Sequence, residues 1–238
     1  MNRVLVIARR ELGSFFCSPV AYVAMSIFLL CTGFSFLDDF APGQPAEMRH
    51  IFEFMVWLLI FIIPVLSMGL LAQEFASGTI ETLLTAPVNE FEVVVGKFLG
   101  SIFFFLVLLA PTLLYIVLLR VWGQPDFGPI LSGYLGIVLV GCLFTSVGLF
   151  CSSMTRSQVV AAALTALILF LVTVVPWYAG GKANLSGIGS LISDQAVYRR
   201  YSDFSKGVID LGNVVFFLAT TVVFLFLSVK VVESRRWK

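Results

Sequence analysis

Charged residues are scarce in this chain. They make up 12% of its 238 residues, whereas a soluble domain carries roughly 25%. Hydrophobic residues make up 59%, and the mean hydropathy is +1.01. This composition excludes an ordinary soluble domain and indicates a protein whose main solvent is lipid. The net charge of +1, with no basic block away from the termini, argues against nucleic acid as a partner.

Residues that carry catalytic or metal chemistry are few and poorly grouped. The four cysteines have no CxxC spacing, and the only histidine, His50, lies in a polar stretch. The chain has no GxxxxGK[ST], HExxH or GxSxG motif; Gly96-Lys97 is followed by Phe98. We therefore expect no enzyme activity, no metal site and no cofactor held by this chain itself.

Long apolar runs are what the sequence does contain. A transmembrane helix needs about 20 mostly apolar residues. Six runs qualify, and we predict an all-α membrane protein with one transmembrane domain over residues 1–238. Their interiors carry no charge, which argues against ion-coupled transport and an intramembrane enzyme. The predicted spans are 20–37, 52–72, 98–119, 130–151, 159–178 and 214–232.

Packing features follow from particular residues in these spans. Pro64 and Pro111 are expected to bend their helices or to free backbone carbonyls. Phe103–Phe105 are expected to face lipid. Small residues in the fourth span are spaced for close helix packing, within one chain or between two. These are Gly133, Gly136, Gly141 and Gly148.

Lys and Arg flanking the spans set the predicted orientation. Nine lie on the side of the two termini and six on the other, so we place both termini in the cytosol. The segments 73–97 and 152–158 then face the cytosol as well. Residues 179–213 form the longest extracytoplasmic stretch, in which 194–210 is expected to be a short amphipathic helix capped by Ser193 at the outer interface.

The N-terminal segment 2–18 is too charged to span a membrane. Its apolar residues recur at helical spacing, with Arg9, Arg10 and Glu11 elsewhere on the wheel, which predicts a helix in the cytosolic interface. Pro19 ends it before the first span. Two interpretations stay open: a simple positive anchor, or an elbow helix that packs beside segment 73–97.

The cytosolic segment 73–97 has unusually ordered signals for a loop. Gly78-Thr79 precedes a predicted short helix, 80–85, with Glu81 in its first turn and Pro87 after its end.

A second helix is predicted to follow this segment at once. Asn89 and Glu92 have the spacing of a capping box, so it would begin there and run into the third span. Lys97 is expected to snorkel at the interface. Glu74 is either a solvated helix end or a carboxylate that positions this segment. As a whole, 73–97 is either a well-capped connection or an element that docks on a soluble partner.

The run Glu74–Pro87 resembles the E-x-x-x-G-T-x-E-x-L-L-x-x-P pattern of ABC-2 type transporter permeases. Within that family the chain is most similar to gliding-motility-type and nitrous-oxide-accessory-type permeases, which are type V exporter-like. Three further stretches support the resemblance: 10–19, 148–158 and 207–210.

The resemblance implies a six-helix permease subunit of the bacterial inner membrane, with an elbow helix and with re-entrant helices before the last span. A second permease copy or homologue pairs with it, and two cytosolic ABC ATPase subunits bind ATP and Mg. Gliding-type systems also pair with an auxiliary membrane-anchored protein that supplies an extracytoplasmic domain. The coupling residues implied are Glu74, Gly78, Thr79, Glu81, Leu83, Leu84 and Pro87, and the elbow residues are Arg9, Arg10 and Glu11.

Two functions are compatible with this pattern. In the first, the chain couples ATP hydrolysis by a separate subunit to export or to force transmission across the membrane. In the second, it is a scaffold that anchors an ATPase and an envelope partner without moving cargo.

Overall fold

The computed structural model describes residues 3–39, 47–79, 89–123, 125–182 and 197–236. In these ranges every regular element is helical, as predicted. The helices are α1 Arg3–Cys17, α2 Pro19–Asp39, α3 Arg49–Ser67, α4 Ala72–Ser77, α5 Glu90–Leu109, α6 Leu113–Trp122, α7 Phe127–Met154, α8 Gln158–Lys182, α9 Val197–Ser205 and α10 Leu211–Arg236.

Six helical stretches are long and apolar enough to cross a membrane, which confirms the predicted number. Each overlaps one predicted span. They are Pro19–Asp38, Arg49–Ser77, Glu90–Val121, Phe127–Met154, Gln158–Pro176 and Leu211–Ser234.

The two prolines that were expected to bend their helices, Pro64 and Pro111, behave differently. A 3₁₀ turn, Ala110–Thr112, separates α5 from α6, so the helix is interrupted at Pro111 as expected. Helix α3 continues through Pro64 and ends three residues later.

Helix α7 is the central helix of the bundle, because glycines let its neighbours approach closely. A Cβ added at Gly133 would overlap the ring of Phe52 in α3, and one added at Gly141 would overlap the ring of Phe105 in α5. The small residues of the fourth span therefore serve packing within one chain. Phe105 is 1% exposed, so the expectation that it faces lipid is wrong. The same holds for its neighbour Phe104, which stacks on Phe15 with ring centroids 4.8 Å apart.

Helix α9 packs on the bundle through its apolar side. Val197, Tyr201 and Phe204 are each 0% exposed, and Ser132 of α7 donates a hydrogen bond to the Phe204 carbonyl at 2.7 Å. The predicted cap Ser193 lies outside the described residues. A short amphipathic helix is therefore present over Val197–Ser205; it ends before the predicted end at residue 210 and is held against α7. Its re-entrant character stays a prediction.

One end of the bundle carries both ends of the described chain, and we call it the basal end. A small apolar cluster there joins the end of α10 to the region between α3 and α5 and to α7. Arg3 and Glu92, 3.9 Å apart, bring the start of α1 to the start of α5. The side of the membrane that this end faces stays a prediction. The cluster consists of Leu70, Leu71, Phe75, Val94, Leu149 and Val232.

Candidate functional site

Lys97 joins three helices at the basal end. Its Nζ lies 2.7 Å from Glu11 Oε1 of α1 and 2.9 Å from Glu74 Oε1 of α4. Lys97 is 2% exposed, so the prediction that it snorkels to the interface is wrong. A lysine this deeply buried has to be paired, and the two carboxylates supply that pairing.

Two glycines on α5 allow this pairing. A Cβ at Gly96 would stand 2.8 Å from the Ile7 side chain, and one at Gly100 would stand 2.9 Å from the Ala8 carbonyl oxygen. Glycines four apart lie on one helix face, so α1 can approach the α5 backbone there. Lys97 lies beside this contact and meets Glu11 across it.

Glu11 and Glu74 therefore differ from their simplest sequence interpretations. Both are 9% exposed, although Glu11 was grouped with the polar Arg9 and Arg10 and Glu74 had a solvated helix end as one alternative. Arg10 remains largely in solvent, with a 64% exposed side chain whose Nη2 lies 3.4 Å from Glu74 Oε1. Arg9 is exposed. Two cations and two carboxylates thus form a charge-balanced group, which we call the basal ionic cluster: Arg10, Glu11, Glu74 and Lys97.

Ser152 of α7 holds the break between α3 and α4. Its Oγ accepts hydrogen bonds from the backbone N–H of Leu71 at 3.0 Å and of Ala72 at 2.9 Å, and donates one to the Met68 carbonyl at 3.0 Å. One buried hydroxyl therefore satisfies the first free donors of α4 and a carbonyl at the end of α3. No local sequence pattern distinguishes Ser152 from the other serines of its helix.

Helix α4 ends at Ser77, inside the Glu74–Pro87 run. Gly78 has φ 70° and ψ 2°, the left-handed conformation that glycine adopts without a steric penalty. The Ser77 hydroxyl bonds the Gln73 carbonyl at 2.9 Å and meets Thr79 Oγ1 at 2.8 Å. Ser77 and Gly78 thus end α4 one turn after Glu74.

The predicted coupling helix, 80–85, lies outside the described residues, and so do Glu81, Leu83, Leu84 and Pro87. The helix predicted after it is confirmed. Asn89 and Glu92 form the expected capping box, in which the Asn89 N–H donates to Glu92 Oε2 at 3.0 Å. From there α5 runs without interruption through Lys97.

A cleft of about 390 Å³ lies beside the basal ionic cluster. Its walls come from α1, from the start of α2, from the α3–α4 region and from Lys97. Among the described residues, no group of three or more His, Cys, Asp or Glu side chains is placed to hold a metal ion. The basal arrangement thus supplies paired charges beside a cleft.

The comparisons with known proteins concern nearly the whole bundle. A family model described as ABC-2 family transporter protein matches residues 26–236. The comparison with curated proteins gives no match. The matched range begins within α2 and includes every other predicted span, Glu74 and Lys97. The chain therefore belongs to the ABC-2 family of transporter proteins and is a multi-pass membrane permease.

Proposed function

We propose that this chain is the membrane subunit of an ATP-driven transporter and that its basal end receives force from a separate ATPase. Two cytosolic ABC ATPase subunits would bind ATP and Mg, and a second permease copy would complete the assembly. The observation that carries the proposal is the Lys97 pairing with Glu11 and Glu74. It ties the helices on both sides of segment 80–88 into one unit.

Movement of that segment would reach the spans through this unit. Glu74 precedes the segment and Lys97 follows it, and their ion pair, at 2.9 Å, joins the helices on its two sides. Separating buried charges leaves each without its partner, which typically costs several kcal/mol. A displacement of residues 80–88 would therefore move α4 and α5 together rather than spread them apart.

Two further contacts carry the displacement inward. Ser152 fixes the α3–α4 break to α7, and the Gly96–Gly100 face holds α1 against α5. The 3₁₀ turn at Pro111 then offers a place where α5 can move relative to α6. ATP-dependent closure of the partner subunits would thus tilt α5 together with α1. This tilt would change the access of cargo to the bundle on the side of the membrane opposite the basal end.

The cargo and subtype are open parts of this proposal. The gliding-motility-type or nitrous-oxide-accessory-type resemblance favours export or force transmission together with an auxiliary extracytoplasmic partner. A scaffold that holds an ATPase without moving cargo is the alternative. ATP hydrolysis in nanodiscs discriminates between them, because a transporter responds to its lipid, glycan or peptide cargo and a scaffold does not.

The proposal is tested by ATPase recruitment. Glu81→Arg places a cation in the coupling pattern and should reduce the ATPase that co-purifies with the permease at least about tenfold, as expected for a central charge at an interface. Glu233→Arg, at an exposed carboxylate near the end of α10, is the matched control and should retain the ATPase. Equal co-purification of both variants would refute the assignment of segment 73–97 as the docking element.

A further inference from the structure

The 3₁₀ turn Ala110–Thr112 separates two sets of polar contacts along one candidate membrane span. On its basal side, α5 is bonded to α1 and α4, because Lys97 pairs with Glu11 and Glu74. At the turn and beyond it, hydroxyl pairs link the span to α7 and α2, which take no part in the Lys97 pairing. The span therefore has different hydrogen-bonded neighbours before and after the turn.

Thr112 and Tyr134 link the turn itself to α7. In a regular helix the Leu109 carbonyl would accept from the N–H of Leu113, which here bonds two later carbonyls of the span. The Thr112 hydroxyl donates to the Leu109 carbonyl instead, at 2.7 Å. Because that bond uses the only proton of the Thr112 hydroxyl, Tyr134 is the donor in the 3.0 Å contact between the two hydroxyls.

Thr32 and Tyr115 repeat this arrangement between α2 and α6. The Thr32 hydroxyl donates to the Phe28 carbonyl at 2.9 Å, and the Tyr115 hydroxyl lies 3.1 Å from Thr32 Oγ1. The ring of Tyr115 also stacks on Phe36 of α2, with centroids 4.8 Å apart. Thr32 and Thr112 are both 0% exposed. Within a bundle surrounded by lipid, a tyrosine hydroxyl that left either partner would find no water to replace it.

The contact of α5 with α7 on the basal side of the turn is of another kind. There the ring of Phe105 packs against Gly141, where no side chain intervenes. An apolar contact has no preferred direction, so it tolerates a change of helix angle better than a hydrogen bond does. Pro111 has no N–H with which to brace the span at the turn. A 3₁₀ stretch within a longer helix often marks a hinge.

We propose that Tyr115 and Tyr134 make α6 part of one body with α2 and α7, and that the span bends at Ala110–Thr112 when α5 moves with α1. Both tyrosines are positioning residues: their hydroxyls decide which neighbours α6 follows. The source of the movement rests on the proposed function, whereas the hydroxyl tether requires no ATPase.

Distances between spin labels in the full-length permease test the tether without an ATPase. Labels on non-canonical amino acids are placed at Val117 of α6 and Leu131 of α7, which are 58% and 71% exposed. The double variant Tyr115→Phe/Tyr134→Phe should broaden the distance distribution in nanodiscs about twofold, since the span then loses its polar links to both neighbours. An unchanged distribution in the folded double variant would overturn the proposal.

Single variants show whether the bond to Thr112 is responsible. Thr112→Val should broaden the distribution as Tyr134→Phe does, and combining the two should add nothing, because both remove the same bond. Thr112→Ser keeps the hydroxyl and should keep the narrow distribution. Tyr22→Phe is the matched control, since Tyr22 of α2 is 53% exposed, and it should have no effect. Additive broadening by Thr112→Val and Tyr134→Phe would contradict the assigned bond.

The permease–ATPase complex tests the bend in the unmodified chain, whether or not every variant folds. On ATP binding, the distance from a label at Phe103 of α5 to Leu131 should change by about 2 Å or more, whereas the distance from Val117 to Leu131 should not. Equal changes of both distances would overturn the bend and leave the proposed function standing. If neither distance changes with the ATPase bound, the proposed function fails together with the bend, and the permease alone still decides the tether.

Discussion

Lys97 Nζ and Glu11 Oε1 lie 2.7 Å apart although 86 positions separate them in the chain. The pair joins the end of the coupling region to the helix that precedes the first span. Its second carboxylate, Glu74, belongs to the helix on the other side of segment 80–88. Under the proposed function, force applied to segment 80–88 would therefore act on helices that Lys97 already holds together.

Removing the central cation should destabilise the fold strongly. Lys97→Met leaves Glu11 and Glu74 buried and facing each other, so we expect a loss of about 3–5 kcal/mol. Lys230→Met, which breaks the exposed pair with Glu233, should cost less than about 1 kcal/mol. Melting temperatures in nanodiscs measure both, and equal shifts would show that the buried cluster adds nothing to stability.

Widening the α1–α5 contact should also destabilise the fold. Gly100→Ala places a methyl group against the Ala8 carbonyl and the Glu11 side chain, so it should destabilise by about 1–3 kcal/mol. Gly13→Ala is the matched control in α1, because nothing lies within 4 Å of its added Cβ. Alanine has the higher helix propensity, so that variant should be stabilised by up to about 1 kcal/mol. Thermal unfolding that ranks the two variants in the reverse order would refute the close approach.

The hydroxyl of Ser152 should matter more than that of its neighbour. Ser152→Ala leaves the N–H groups of Leu71 and Ala72 without their acceptor, and we expect a loss of about 2 kcal/mol or more. Among the described residues, Ser153 donates to the Phe150 carbonyl of its own helix and to no other group, so Ser153→Ala should cost less than about 1 kcal/mol. Hydrogen exchange at Leu71 and Ala72 gives the direct readout. Unchanged protection in Ser152→Ala would contradict the assigned bonds.

The contact between α9 and α3 should lose stability at alkaline pH. Burial, followed by the hydrogen bond to Glu53, raises the pKa of Tyr198 to about 12 from 10.0. Between these values the unfolded chain binds fewer protons than the folded one, so the free energy of unfolding falls as pH rises. The contribution is complete below about pH 10. Tyr198→Phe should flatten the fall in melting temperature above that pH, and an unchanged slope would contradict the assignment.

The sequence predicted the helices better than the contacts between them. Span number follows from hydropathy, and the start of α5 follows from the Asn89–Glu92 spacing, since both signals are local. The burial of Lys97 depends on Glu11 and Glu74, which are 86 and 23 positions away, and no local pattern announces that pairing. The spacing of Gly96 and Gly100 on either side of Lys97 was the available signal. It indicates a close helix contact at that lysine.

The burial of Phe105 and the hydrogen bonds of Ser152 also depend on residues far away in the chain, so the sequence does not predict them. Phe105 lies in an apolar run, which is typical of a lipid-facing residue. Its ring is buried because Gly141 of α7, 36 positions later in the chain, has no side chain and leaves room for it. Ser152 is one of several serines in its span, and its role appears only once the α3–α4 break lies next to it. Long-range partners therefore decide which side chain of an apolar helix is structural.

The basal ionic cluster is proposed to transmit force between the ATPase and the spans. The most direct measurement is ATP hydrolysis by the reconstituted permease–ATPase complex in nanodiscs, compared with the free ATPase. Glu11→Gln removes one charge from the basal ionic cluster and keeps the size and shape of the side chain. It should retain bound ATPase but lose most of the rate change that the permease imposes, whereas Arg9→Gln should behave like the unmodified chain. A Glu11→Gln complex with the full permease-dependent rate would contradict the account.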